Sequence, residues 1–444
     1  MWSSNSAVGK SVGLIPGRQV FGPLLLVTLS PIFVIVFHHI LTDLSGSFMM
    51  FAENVWTYGP VDYVHSIWPR WRGDAIRTWR MIGVFMGLQL AILKFVPGAR
   101  YQGPVTASGW VPEYKVNGVQ AFLITLGLFL AGTHLGLYNG GILYDRLGEI
   151  LSCMNVFALV FCLFLYLKGR IFPSTPDHGS SRNLIFDYYW GTELYPRIFG
   201  WDVKQFTNCR CGLMFWALFA VSCIYKQHEL FGAVSLSLWV NAILQLLYIL
   251  KFFLWESGYL STIDIMHDRA GFMICWGCLV WLPCIYTSHS QFLVKNPSEC
   301  GGFLLALLCL LSGALCIWVN YDSDRQRQEF RAAGGRLKIW GKDPLFIDAK
   351  YRTEKGEVRS SLLLASGWWG KARHFHYLPE MGAAVLWTVP VACRQVLPYF
   401  YIPFLALLLL DRAYRDDARC RSKYGKYWDQ YCKHVPHMLV PGVF

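Results

Sequence analysis

Residues 230–269 read LFGAVSLSLWVNAILQLLYILKFFLWESGYLSTIDIMHDR. The apolar part, 230–255, exceeds the about 20 residues that a helix needs to cross a bilayer. A dense polar patch, 256–269, follows it and leads into a second apolar run, 271–286. The same alternation of apolar runs and polar connections extends in both directions. Further runs occupy 21–41, 81–96, 119–137, 153–167, 213–225, 302–319, 381–396 and 397–410, the last two reading as a tight hairpin around Pro398. The pattern predicts an all-α, polytopic integral membrane protein with about ten transmembrane helices.

Composition agrees with that pattern. Of 444 residues 54% are hydrophobic and only 15% are charged, which leaves too little solvating charge for a soluble protein. The net charge of +12 sits mostly in the connections. Cytoplasmic loops of membrane proteins carry excess Lys and Arg, so nucleic acid is not an expected partner. The basic stretches 321–360 and 412–444 are therefore expected on the cytosolic side, and an even number of crossings puts the N-terminus there too. The first apolar run has no small-residue cleavage site after it, so no signal peptide is expected. The 14 Cys are scattered, with no pair at zinc-ligand spacing, and no metal site is expected.

Four polar clusters carry candidate chemistry. In 256–269, Asp264 and Asp268 would share one face of a helix with His267 a step round, and Glu256 precedes them. Ionisable groups between apolar runs are costly and point to a functional cavity wall, a solvated loop or a structural network. Upstream, Tyr248 reads on its own as a packed aromatic. In DRQRQEFR (324–331), Arg327 and Arg331 present two guanidinium forks on one helix face, which suits a phosphate group or a juxtamembrane basic stripe. SGWWGKARHFHY (366–377) combines Trp369, His376 and Tyr377, a set fit for stacking on a nucleotide ring or for an interfacial aromatic belt. In 411–428, Arg412 and Asp416 stand at pairing distance along a helix, and Tyr424 follows in a basic tail. There is no Walker A motif and no G-x-G-x-x-G between a strand and a helix, so a dinucleotide would be bound without a Rossmann domain.

These segments, in this order, resemble the membrane sterol reductases. The marks are GPVT from Gly103, YKVNGVQAF from Tyr114, GTELYPR from Gly191, LSTIDIMHDRAGF from Leu260, WLPCIYT from Trp281, SGWWGKARHFHY, and RCRSKYGKYWDQYCKHVP near the C-terminus. Within that family the Δ7 branch fits best, because Δ14-sterol reductases tend to have Lys at the position of Arg327 and Asn at that of His376. The resemblance implies an NADPH-dependent oxidoreductase of sterol biosynthesis that reduces the C7–C8 double bond of a Δ5,7-sterol. It implies a multi-pass protein of the endoplasmic reticulum membrane that takes its sterol from the bilayer among membrane lipids, with possible association with other enzymes of sterol biosynthesis. The chain would divide into a short cytosolic segment 1–20, a substrate-side transmembrane region 21–260, and a region 261–444 with a cytosol-facing NADPH pocket. By motif, Arg327 and Arg331 would contact phosphates; Leu364, Trp369, His376 and Tyr377 would line the pocket; Arg412, Asp416 and Tyr424 would complete it. The resemblance makes Tyr248 the proton donor. Glu256, Asp264, His267 and Asp268 are candidates for proton relay or carbocation stabilisation. The alternatives are a Δ14-sterol reductase and, more remotely, a membrane methyltransferase of the isoprenylcysteine type.

Overall fold

Gly232 and Ser235 break the apolar run 230–255. Gly232 takes φ +70° and ends one helix, while the Ser235 hydroxyl accepts from the N–H of Leu238 at 3.4 Å and opens the next, Leu236–Leu254. The run is thus a tight helical corner followed by a single crossing. In the computed structural model, residues 20–69, 71, 75–106, 108–352, 356–391 and 395–444 are described. The expected cytosolic segment 1–20, apart from Val20, lies outside the described residues.

The fold is mostly helical. Among the described residues seven helices are long and apolar enough to cross a bilayer: Phe21–Thr42, Ile76–Phe95, Leu147–Ile171, Gln205–Phe231, Leu236–Leu254, Phe272–Lys295 and Phe303–Ala332. Gly118–His134 is a shorter apolar helix. Near the C-terminus, Tyr377–Thr388 packs against Tyr401–Tyr424. Among the described residues three antiparallel two-stranded hairpins join the helices: Ala99–Gln102 with Glu113–Val116, Arg197–Ile198 with Trp201–Asp202, and Phe346–Arg352 with Val358–Leu364.

Three stretches that read as polar connections carry regular structure. The segment 172–211, between the apolar runs 153–167 and 213–225, contains the helix Leu184–Trp190, and at its end Gln205–Gly212 is the buried π-helical start of a crossing. That start packs on a second π-helical segment, Phe272–Tyr286, and a Cβ at Gly212 would come within 2.8 Å of the Cys278 carbonyl oxygen. Only glycine permits that approach of the two backbones. The second stretch begins inside the 30-residue helix Phe303–Ala332. At 1.5 Å per residue this helix spans about 45 Å, against about 30 Å of hydrocarbon, so its polar last turns project beyond the bilayer core. The third, the C-terminal tail, continues the helix Tyr401–Tyr424 and closes with Lys426–His434.

Candidate active site

Leu236–Leu254, Phe303–Ala332 and Tyr377–Thr388 pack on one another. Their contact brings Tyr248, Lys251, Asn320 and Glu380 together. The Tyr248 hydroxyl donates to Glu380 Oε1 at 3.1 Å, and both side chains are half-buried. Lys251 donates to Asn320 Oδ1, and Asn320 Nδ2 donates to the His376 carbonyl at 2.8 Å. The Tyr248 ring lies among aromatics, with centroids 5.8 Å from Trp216 and 5.5 Å from Trp387.

Trp369 organises the adjoining layer. Its indole N–H donates to the Ser323 carbonyl at 2.7 Å, and its own carbonyl accepts from the Tyr431 hydroxyl at 3.3 Å. The Arg327 guanidinium lies 3.9 Å from its ring centroid, and the His376 ring lies 5.0 Å away. Arg327 therefore covers one face of the ring expected to stack on a nucleotide. Arg327 also meets Asp324 at 3.4 Å. Arg331 Nε donates to the Leu362 carbonyl at 3.2 Å and ties the helix end to the strand Val358–Leu364. Leu364, at that strand's end, is buried with Phe330, Ile339 and Trp369. Gly367, at φ +62°, permits the turn into this layer, because a Cβ there would strike the Gln326 side chain that accepts from the Trp368 N–H at 3.0 Å.

His374, His376 and Tyr377 form a compact ring cluster. Tyr377 stacks on His374 at 5.3 Å and meets His376 at 4.3 Å. Burial pushes the His374 ring down to about 4 and holds the His376 ring well below its ordinary value, so both are neutral at physiological pH. Buried His376 Nδ1, His374 Nε2 and Arg412 Nε have no hydrogen-bond partner among the described residues.

The segment 256–269 differs from its expected form. Asp264 and Asp268 do not share one helix: Glu256–Tyr259 and Ile263–Met266 are separate short helices, and His267 and Asp268 lie beyond both. Lys204, fully buried, donates to the carbonyls of Asp264, Ile265 and Asp268 at 3.2, 2.5 and 2.9 Å and holds the turn open. Both aspartates nonetheless face one partner, the helix Tyr401–Tyr424. Arg412 pairs with Asp264, and Arg415 grips Asp268 with both oxygens at 2.7 and 2.9 Å. Burial alone would push the Asp268 carboxyl up, but the Arg415 charge and the His267 hydrogen bond at 3.0 Å together hold it well below the usual carboxylate range. The expected pairing of Arg412 with Asp416 does not form; Asp416 meets Arg419 at 3.2 Å. Glu256 lies in a different network, bound to Arg210 at 2.7 Å, to the Gly118 N–H at 2.8 Å and to Gln205 at 3.0 Å, with the Glu256 and Arg210 side chains fully buried. Tyr424 packs edge-on against Tyr351 of the hairpin at 5.7 Å.

Sequence reasoning missed Glu380, Lys251, Asn320 and Arg415. Glu380 had a usable signal, a carboxylate at the mouth of the apolar run 381–396.

The chain matches, over residues 20–444, the model of the family described as "Ergosterol biosynthesis ERG4/ERG24 family". The chain belongs to this family. It is 49% identical over 420 residues to a 7-dehydrocholesterol reductase of Arabidopsis thaliana, covering 94% of this chain and 96% of the relative. It is 38% identical over 369 residues to the 7-dehydrocholesterol reductase of Xenopus laevis, with 81% and 77% covered. A Delta(14)-sterol reductase of Methylotuvimicrobium alcaliphilum is 36% identical over 385 residues, with 85% and 87% covered. The protein is a multi-pass membrane sterol reductase, an oxidoreductase of sterol biosynthesis.

Proposed function

We propose that this reductase uses NADPH to saturate the C7–C8 double bond of Δ5,7-sterols in the endoplasmic reticulum membrane. The observation that carries the reading is the bond from Tyr248 to Glu380, which joins the donor hydroxyl to the helix that begins at Tyr377 beside His376. The proton donor is thus bonded to a residue one helical turn from Tyr377. Two relatives named 7-dehydrocholesterol reductase favour the C7–C8 bond.

The residues present fit a pyridine dinucleotide. Unpartnered His376 Nδ1, His374 Nε2 and Arg412 Nε are polar atoms awaiting a ligand, and they lie beside a cationic cluster. Arg327 and Arg331 would hold phosphates. Leu364, Trp369, His376 and Tyr377 would line the pocket, with Arg412, Asp416 and Tyr424 closing it, and no Rossmann domain is needed. When bound, NADPH supplies a hydride. Tyr248 adds a proton to the alkene, because a ring alkene without an electron-withdrawing group accepts hydride only once it is made electrophilic. Asp264 and Asp268 hold Arg412 and Arg415 in place rather than touching substrate. Glu256, locked to Arg210, acts as a structural group.

Ten crossings follow if Gly118–His134, Tyr377–Thr388 with its 3-10 extension, and Tyr401–Tyr424 are added to the seven long helices. Both termini then face the cytosol, with 21–260 forming the substrate side and 261–444 the cofactor side. The sterol enters from the bilayer, and association with neighbouring sterol-biosynthesis enzymes belongs to the same reading. The experiment is purified protein in lipid with NADPH and 7-dehydrocholesterol, monitored by loss of the conjugated-diene absorbance. A Δ8,14-diene is run in parallel, and faster turnover of that diene would replace the Δ7 reading with a Δ14 one.

A further inference from the structure

The geometry points to Glu380 as the acid that reloads Tyr248: a proton-supplying positioning residue that acts through the Tyr248 hydroxyl and enters each turnover uncharged. This rests on the reading of Tyr248 as proton donor and goes beyond it.

The argument begins with the 3.1 Å separation of Tyr248 Oη and Glu380 Oε1. An ionised carboxylate there would take the phenolic proton as its own hydrogen-bond proton and hold it away from any alkene. It would also place a negative charge beside the tyrosinate left after donation, and like charges at this separation disfavour that state. A carboxylic acid reverses both effects. In the acid form the same contact runs the other way: the Glu380 O–H donates to the phenol oxygen and leaves the phenolic proton free to move outward.

The proton account closes. Tyr248 O–H breaks as a C–H bond forms on the sterol, leaving a carbocation and a tyrosinate. The Glu380 O–H proton passes to the tyrosinate, restoring the phenol and leaving a carboxylate. The hydride that NADPH supplies quenches the carbocation. One proton from cytosolic water then returns Glu380 to its acid form. The net uptake is one hydride and one proton per double bond.

The surroundings suit the reloading step. Glu380 is half-buried, one helical turn from Tyr377 and the ring cluster at the cytosolic layer. The charged groups facing it are Lys251 from Leu236–Leu254, Arg412 from Tyr401–Tyr424 and Asp324 from Phe303–Ala332, and Tyr248 completes the set. Lys251 is held by Asn320, which is bonded in turn to the His376 backbone, so polar groups run from Glu380 toward the cytosolic layer.

The test uses the full chain in lipid nanodiscs, as wild type, Glu380→Gln and Glu380→Asp. Gln keeps size and hydrogen bonding but cannot deliver a proton. Glu380→Gln is expected to keep its thermal transition and its KM for NADPH while kcat falls roughly 100-fold. Wild-type kcat should decline toward high pH as Glu380 ionises; Gln should lack that limb, and Asp should keep it with an intermediate rate. Infrared spectroscopy without substrate should show a protonated carboxyl C=O band that shifts in D2O and is missing in Glu380→Gln. Wild-type kcat in the Gln variant, or no such band in the wild type, overturns the inference. If Gln does not fold, the wild-type band and the Asp variant decide. If wild type consumes no NADPH with either diene, the reaction reading fails instead, and the infrared band still reports whether Glu380 carries a proton.

Discussion

Arg412 reaches back across 148 residues to pair with Asp264, and Arg415, one turn further on, grips Asp268 in the same way. Two arginines of the last long helix thus lock onto two aspartates of the central polar segment. That double clamp fixes the C-terminal helix, which carries Arg412, Asp416 and Tyr424, against the rest of the chain.

The clamp sets a stability prediction. Arg415→Ala leaves Asp268, 1% exposed, as a charge without its guanidinium partner. Breaking a buried ion pair from one side costs about 3–5 kcal/mol. The variant should lose folded protein faster on heating in detergent, and Asp268→Asn combined with Arg415→Met should recover part of that loss. An Arg415→Ala variant with the wild-type thermal half-life would show that the clamp holds nothing.

Tyr248→Phe removes the hydroxyl and keeps the ring packed between Trp216 and Trp387. Turnover should fall by about 100-fold or more, as loss of a general acid predicts. NADPH affinity, measured by fluorescence quenching, should stay near wild type. Undiminished turnover would remove Tyr248 from the acid role.

Arg327→Ala should raise the KM for NADPH about tenfold or more, since a hydrogen bond to a charged group contributes about 1.5–3 kcal/mol. It also uncovers Trp369, whose fluorescence reports the change. kcat at saturating cofactor should move little. An unchanged KM would leave Arg327 as a basic group facing lipid headgroups.

Stability should fall as pH is lowered from about 6.5 toward 4. His374 is 4% exposed and titrates at about 4 when folded, against about 6.5 when unfolded. Between those values the unfolded chain binds the extra proton, so acid favours unfolding, by up to ~3 kcal/mol at full effect. Asp268, held low when folded, adds a further loss below the ordinary carboxylate range. Thermal stability followed from pH 7 to pH 4 tests the window, and His374→Asn should flatten its upper part.

The crossings were legible wherever apolar residues ran unbroken, as in 21–41, 153–167 and 302–319, because lipid demands that pattern of any spanning helix. The segment 205–212 escaped notice for the opposite reason. QFTNCRC looks like a loop, yet its Arg210 and Gln205 are buried against Glu256 and Asn117, which lie far away in sequence. Arg327, Arg331, Trp369, His376 and Tyr377 were visible as dense local motifs. Glu380 was legible only as a carboxylate beside an apolar run, and that signal acquires its meaning from what faces it.

The sequence by itself determined that this chain crosses a membrane many times, that its basic connections gather near the C-terminus, and that its motifs are those of a sterol reductase. Hydrophobic run length and local motif order carry that information without any knowledge of contacts. Only the tertiary structure decided that Tyr248 meets Glu380, that Arg412 takes Asp264 in preference to Asp416, and that Glu256 belongs to Arg210. An ion pair or hydrogen bond depends on distances of about 3 Å between residues up to 148 positions apart, and helix packing alone sets those distances.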